Sequence, residues 1–290
     1  PCIAQSATRA YLVDLAAEAA VRPGAAGVEL ESLGWYGLAH LHAHDKTGGV
    51  PLSGAGRYLM SLCFCDVCQA GYAALGADPE ELRASVVRAL EPVWRGGTGA
   101  GSGAGEGAAG RDGEWAEVNG LLGEEATGVF TAWRTRAARQ LRQEAVGAVR
   151  EAAQVQGSTP QGAGAADFRV LLHADPAPHR VGANAGADPS EAVEDADGVV
   201  LPCTGSAAER ADVLGPFGAH SASDTFTVAA NLTVVSGMGG SPHTLADDAA
   251  HARELGADEL RLYHAGLASD ADLAAVRESL LRLAPGRPTR

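Results

Sequence analysis

Residues 168–176, Phe168-Arg169-Val170-Leu171-Leu172-His173-Ala174-Asp175-Pro176, form a short run rich in Val, Leu and Phe that stops at a proline. Gly198–Cys203, Thr225–Ala230 and Glu259–His264 have the same character, and helical stretches at 188–196, 243–255 and 270–283 separate them. Short apolar runs that alternate with helices predict βαβα order and hence a parallel sheet. A fifth run lies far upstream. Ala26-Gly27-Val28-Glu29-Leu30-Glu31-Ser32 alternates small or apolar residues with polar ones, which reads as a strand over 27–31 ending in two carboxylates.

Around that first strand the chain is less regular. Tyr11, Leu12, Leu15, Ala16 and Ala19 recur at helical spacing over 7–20, and Pro23-Gly24 ends the pattern. From Leu33 to Leu62 runs a long irregular segment holding Trp35, Tyr36, His40, His42, His44 and Asp45. Loops of that length in a compact domain are functional or disordered, and the aromatic and histidine content points to function. Helices follow at 79–94 and 115–155; in the second, Val118, Leu122, Val129, Phe130, Trp133, Ala137, Leu141, Ala145 and Val149 trace one face. Between them, 96–113 is nearly all Gly, Ala and Ser and reads as a flexible linker. The expected organisation is therefore 1–95, a linker over 96–113, and 114–290.

With 290 residues, 46% of them hydrophobic, the chain can bury a substantial core and is expected to be globular and soluble. Its formal charge of −14 repels phosphate backbones and anionic membrane surfaces, so neither nucleic acid nor membrane is an expected partner. No run approaches the roughly 20 apolar residues of a membrane span, and no signal peptide is evident, which gives a cytoplasmic expectation. Five cysteines are too few for a disulfide scaffold of this length. Four cluster by spacing and leave Cys203 alone, a pattern that favours metal over cystines.

Cys63-Phe64-Cys65-Asp66-Val67-Cys68 is the sharpest motif. Thiolates at C-x-C-x-x-C spacing can grip one tetrahedral ion, although a closed structural site needs a fourth ligand. The plain alternative is a set of buried free thiols.

Cys2, an amphipathic helix carrying Arg9 and Tyr11, a strand ending in Glu31, and C-x-C-x-x-C followed by Gln69 and Tyr72 come in an order that resembles the zinc-containing β-galactosidases of glycoside hydrolase family 42. The resemblance covers residues 1–75 and is carried by Cys2, Glu31, Cys63, Cys65 and Cys68. It implies a structural Zn2+ on the four cysteines, Glu31 as general acid/base, carbohydrate as the partner, and an α/β (β/α)8 TIM barrel. Glu31 then ends the fourth strand. The runs at 27–31, 168–174, 198–203, 225–230 and 259–264 become strands four to eight, so the barrel is incomplete and lacks strands one to three. Such a fragment is expected to self-associate or to pair with the missing barrel segment. Two departures stand out: Leu30 replaces the family's Asn, and Val228-Ala229-Ala230-Asn231-Leu232 has no carboxylate where the family has its nucleophile.

A retaining glycosidase needs two carboxyl groups about 5 Å apart. Glu29, on the same strand face as Glu31, and Asp175, at the next strand's end, are the candidates for the second. Their alternative is an ordinary role as solvated or hydrogen-bonded rim groups, which applies equally to His173 and His264 at strand ends. Trp35 and Tyr36 are expected to stack on a sugar, with His40, His42, His173 and His264 bonding its hydroxyls. The spacing of His40, His42, His44 and Asp45 also allows a second metal site. Gly237-Met238-Gly239-Gly240 lacks the residues of a phosphate loop. Two functions follow: a glycoside hydrolase, or a catalytically inactive carbohydrate-binding barrel fragment that retains the zinc site.

Overall fold

The computed structural model describes residues 1–38, 52–96, 110–157, 168–218, 220 and 226–283. It divides into two compact units, Pro1–Glu191 and Ala192–Arg290. Both are mixed α/β with parallel strands, as the alternating pattern predicts.

The first unit contains α1 (Ser6–Ala20), β1 (Gly27–Leu30), α2 (Gly54–Met60), α3 (Asp66–Ala74), α4 (Pro79–Trp94), α5 (Gly110–Leu122), α6 (Glu124–Gly157), β2 (Arg169–Asp175) and the short β3 (Ala185–Gly186). β1 pairs with β2 in parallel, Val28 beside Val170 and Leu30 beside Leu172, and β3 adds to β2 at Ala174 and Asp175. Helix α1 packs along α6. A second core lies among the helices, where Tyr58, Tyr72, Phe130 and Leu141 are fully buried and Tyr72 and Phe130 meet edge to face at 5.2 Å. Such T-shaped pairs direct ring edges at ring faces and fix rotamers that aliphatic packing would leave loose.

In the second unit β4 (Gly198–Pro202), β5 (Thr227–Thr233) and β6 (Glu259–Tyr263) form a parallel sheet, with β5 paired to both neighbours. Val199, Val200, Leu201, Val228, Ala229 and Ala230 are wholly buried, as a parallel sheet covered by helices requires. The helices are α8 (Ala207–Gly218), α9 (Leu245–Glu254) and α10 (Asp270–Leu283); α7 (Pro189–Asp195) carries the boundary between the units.

Four expectations shift. The helix expected over 115–155 is two helices, because Gly123 takes φ +79, a left-handed conformation that stops α5 and restarts the chain as α6. The Gly-rich linker expected over 96–113 ends sooner, since Gly110–Gly113 already belong to α5. Arg111 and Glu114 anchor that turn through ion pairs to Asp175 and Arg180, which a composition argument cannot foresee. The irregular segment Leu33–Leu62 contains α2, started by the Ser53 side chain accepting from the Gly56 N–H. The strand expected over 225–230 is found at 227–233, because burial continues through Leu232. No helix among the described residues is long and apolar enough to cross a membrane.

Candidate metal centre and strand-end residues

Cys2, Cys63, Cys65 and Cys68 come together with all four sulfurs within 4.8 Å of one another. Cys2 lies at the entry to α1, where the Gln5 N–H bonds its carbonyl and the Ala4 N–H approaches its sulfur at 3.4 Å. Cys65 caps α3 with extended backbone, and Cys68 sits in the helix's first turn. Tyr72 donates its hydroxyl to the Cys63 carbonyl at 2.9 Å, and Gln69 donates to the Phe64 carbonyl at 2.6 Å, so α3 itself holds the C-x-C turn in shape.

Cys2 Sγ and Cys68 Sγ are 3.5 Å apart, well beyond a disulfide bond, and the cysteines are not cross-linked. Hydrogen bonding from Cys68 and from the Ala4 N–H draws the Cys2 thiol down to about 5, against the opposing effect of burial. Burial pushes Cys63 up to about 11, and the bond to Cys2 together with burial pushes Cys68 up as well. A tetrahedral ion with metal–sulfur bonds of about 2.3 Å needs sulfurs about 3.8 Å apart, so the cluster has the donors and nearly the spacing to hold one. These four residues can therefore bind a metal ion.

The strand-end candidates separate into distinct environments. Glu31 is exposed just beyond β1 and has no hydrogen bond or ion pair among the described residues. The next residue, Ser32, has φ +61, a strained conformation for a residue other than glycine, and its N–H is held by the Ala183 carbonyl at 2.8 Å. Glu29 Oε2 lies 3.3 Å from His173 Nε2 on the neighbouring strand. Asp175 is buried and gripped by Arg111 through Nε at 2.9 Å and Nη2 at 2.7 Å, while also accepting from the Ala177 N–H. It is a structural ion pair at the end of β2.

Trp35 is buried rather than presented for stacking: its indole N–H donates to the Arg134 carbonyl at 2.8 Å, and the Arg134 guanidinium lies over its ring. Tyr36 is 41% exposed. His264 is exposed after β6. His40, His42, His44 and Asp45 fall outside the described residues. Cys203 is buried in the second unit.

Arg134, Arg111, Glu114 and His179 escape a reading of the sequence, though one signal was available. Arg134 stands four residues after Phe130, on the apolar face of α6, where a charge is out of place. Glu114 and His179 are both buried, 3.4 Å apart, with Trp115 stacked on the imidazole at 5.2 Å.

No known protein family, curated protein or solved structure matches the chain.

Proposed function

We propose that the chain is a carbohydrate-directed protein of glycoside-hydrolase type, in which β1, β2, β4, β5 and β6 correspond to strands four to eight of a TIM barrel and zinc fills the four-cysteine centre. With all four positions taken by protein, such an ion is structural: it holds the start of α1 to α3 and supplies folding energy rather than chemistry. The reading is carried by one observation. Glu31 projects from the carboxyl end of a parallel strand, beside the strained Ser32 and near the Glu29–His173 pair that links β1 to β2. Parallel α/β sheets bind ligands at that end, and strained backbone concentrates at functional sites.

In this reading Glu31 donates a proton to the leaving glycosidic oxygen and Tyr36 offers a ring face to the sugar. Glu29 is the better second carboxylate, because Asp175 is committed to Arg111. A catalytically inactive carbohydrate binder is the second reading. It is favoured by the end of β5, where Asn231 and Leu232 stand without a carboxylate.

Purified protein assayed against a panel of aryl glycosides and oligosaccharides tests both. Hydrolysis that Glu31→Gln reduces at least about 100-fold, with fold and metal content unchanged, is the expected result. Saturable sugar binding without turnover would select the second reading. Neither binding nor turnover across the panel would overturn the carbohydrate assignment.

A further inference from the structure

Three arginines are buried among the described residues. Arg142 meets Glu191 at 3.0 Å and Arg210 meets Asp248 at 2.8 Å, but Arg134, 3% exposed, has no carboxylate partner. Its guanidinium lies 4.8 Å from the centre of the Trp35 ring and 5.0 Å from that of Tyr58; Nη1 donates to the Ser61 carbonyl at 3.3 Å, and Nη2 has no hydrogen-bond partner among the described residues. Arginine does not shed its proton in proteins, so this is a buried cation without a carboxylate counter-charge among the described residues. The cavity it borders also presents Asp188 and Glu191, yet Asp188 accepts from Ser190, and Glu191 from Arg139 and Arg142. Those charges are already spoken for.

Through its bond to the Ser61 carbonyl, Arg134 also touches the segment that carries Cys63. Ser61 lies two residues before Cys63. Trp133, the preceding residue on α6, covers Gly71 and packs on Tyr72, which lie one helical turn after Cys68 on α3. Burial pulls the Arg134 guanidinium down from its usual range, while Tyr58, Tyr72, Cys68 and Cys63 act in turn to keep it charged. A divalent ion held by four thiolates is a dianion, and a dianion at the edge of a core needs a cation near it as much as a buried guanidinium needs an anion.

We propose that Arg134 is the counter-cation of the metal–tetrathiolate centre, fixed by the Ser61 carbonyl and the faces of Trp35 and Tyr58 so that it strengthens metal binding without being a ligand. The proposal rests on the reading of the four cysteines as a metal site. Arg134 is thus a positioning residue for the ion's charge, and its loss should appear in metal affinity.

Chelator-competition titrations with Zn2+, and with Co2+ followed by its sulfur-to-cobalt charge-transfer band, test this in wild type, Arg134→Gln, Arg134→Lys and Arg142→Met. Arg134→Gln keeps a donor for Ser61 and removes the charge. It should retain the four-sulfur cobalt spectrum and one ion per chain, yet bind zinc about 10- to 100-fold more weakly. Arg134→Lys should recover most of the affinity. Arg142→Met controls for the loss of a buried arginine as such and should leave affinity unchanged. If Arg134→Gln does not fold, Arg134→Met replaces it with the same expectation. Affinity within about two-fold of wild type for the uncharged variant, or an equal loss in Arg142→Met, overturns the proposal. Absence of a cobalt–thiolate band in the wild type instead overturns the metal site itself, and the two failures are told apart by which protein shows them.

Discussion

Cys2 Sγ stands 3.5 Å from Cys68 Sγ, although 66 residues separate them. The contact closes a loop that runs through α1, β1 and α2 and returns at the first turn of α3. A metal ion at this point cross-links the unfolded chain's most distant parts within the cluster, and the loop entropy lost in the unfolded state becomes stability in the folded one.

Metal removal should therefore lower stability. Treatment with a strong chelator, or Cys65→Ser, is expected to reduce the unfolding temperature of the first unit by about 10 °C, as followed by circular dichroism alongside elemental analysis. One zinc per chain before treatment and none after completes the expectation. Wild-type protein with no bound metal and four freely reacting thiols would contradict it.

Acid should strip the ion. The lowered Cys2 value means that its contribution is present above the ordinary thiol range and is lost as pH falls through about 5. Cys63 and Cys68 are shifted the other way, so without metal they favour the protonated fold and that contribution fades as pH rises. Metal must displace their protons, the metal-free state binds more protons, and affinity rises with pH. Zinc retained on dialysis at about pH 7.5 should be largely gone at about pH 4.5, and binding in weak buffer should release protons. Retention independent of pH would exclude thiolate ligation.

Asp175→Asn should act on stability before it acts on anything else. It leaves the Arg111 guanidinium half of a buried pair without its counter-charge, a cost of about 3 kcal/mol, or roughly 6–12 °C in a unit of this size. Thermal unfolding of the variant is the check. An unchanged melting temperature coupled with a selective loss of turnover would move Asp175 from the frame to the chemistry.

Gly71→Ala should loosen α3 from α6. A Cβ there would lie 2.4 Å from the half-buried Trp133 ring, closer than side-chain carbons pack, so the ring or the helix must shift. Overpacking of this kind costs about 1–3 kcal/mol. A Trp133→Leu second substitution, which clears the space, should recover part of the loss; simple additivity of the two would show that the clash is not felt.

β1 pairs only with β2, and β6 only with β5, among the described residues, and β6 remains half-exposed along its length. Open strand edges template pairing with further chains. Sedimentation equilibrium across a wide concentration range should show association, and Lys substitutions at Val28 or Leu262 should weaken it. A monomer at every concentration would mean that these edges are protected.

Some of this was legible in the residues themselves. Short apolar runs punctuated by Gly, Pro and helical periods located β2 and β4, because burial on both faces of a parallel strand leaves a local signature; apolar residues in the partly covered β1 and β6, and the periods of α4 and α10, were legible as well. The C-x-C-x-x-C spacing likewise announced three sulfurs on one turn. What the tertiary structure decided was everything that depends on distant partners: that Cys2 reaches Cys68, that Asp175 is consumed by Arg111, that Trp35 turns inward beneath Arg134, and that Gly123 splits a helix whose apolar stripe runs through it. A side chain's residue type sets what bonds it can make, but the same carboxylate is an acid, a rim group or an ion-pair anchor according to which charge the fold brings within about 3 Å of it, and no local pattern encodes that.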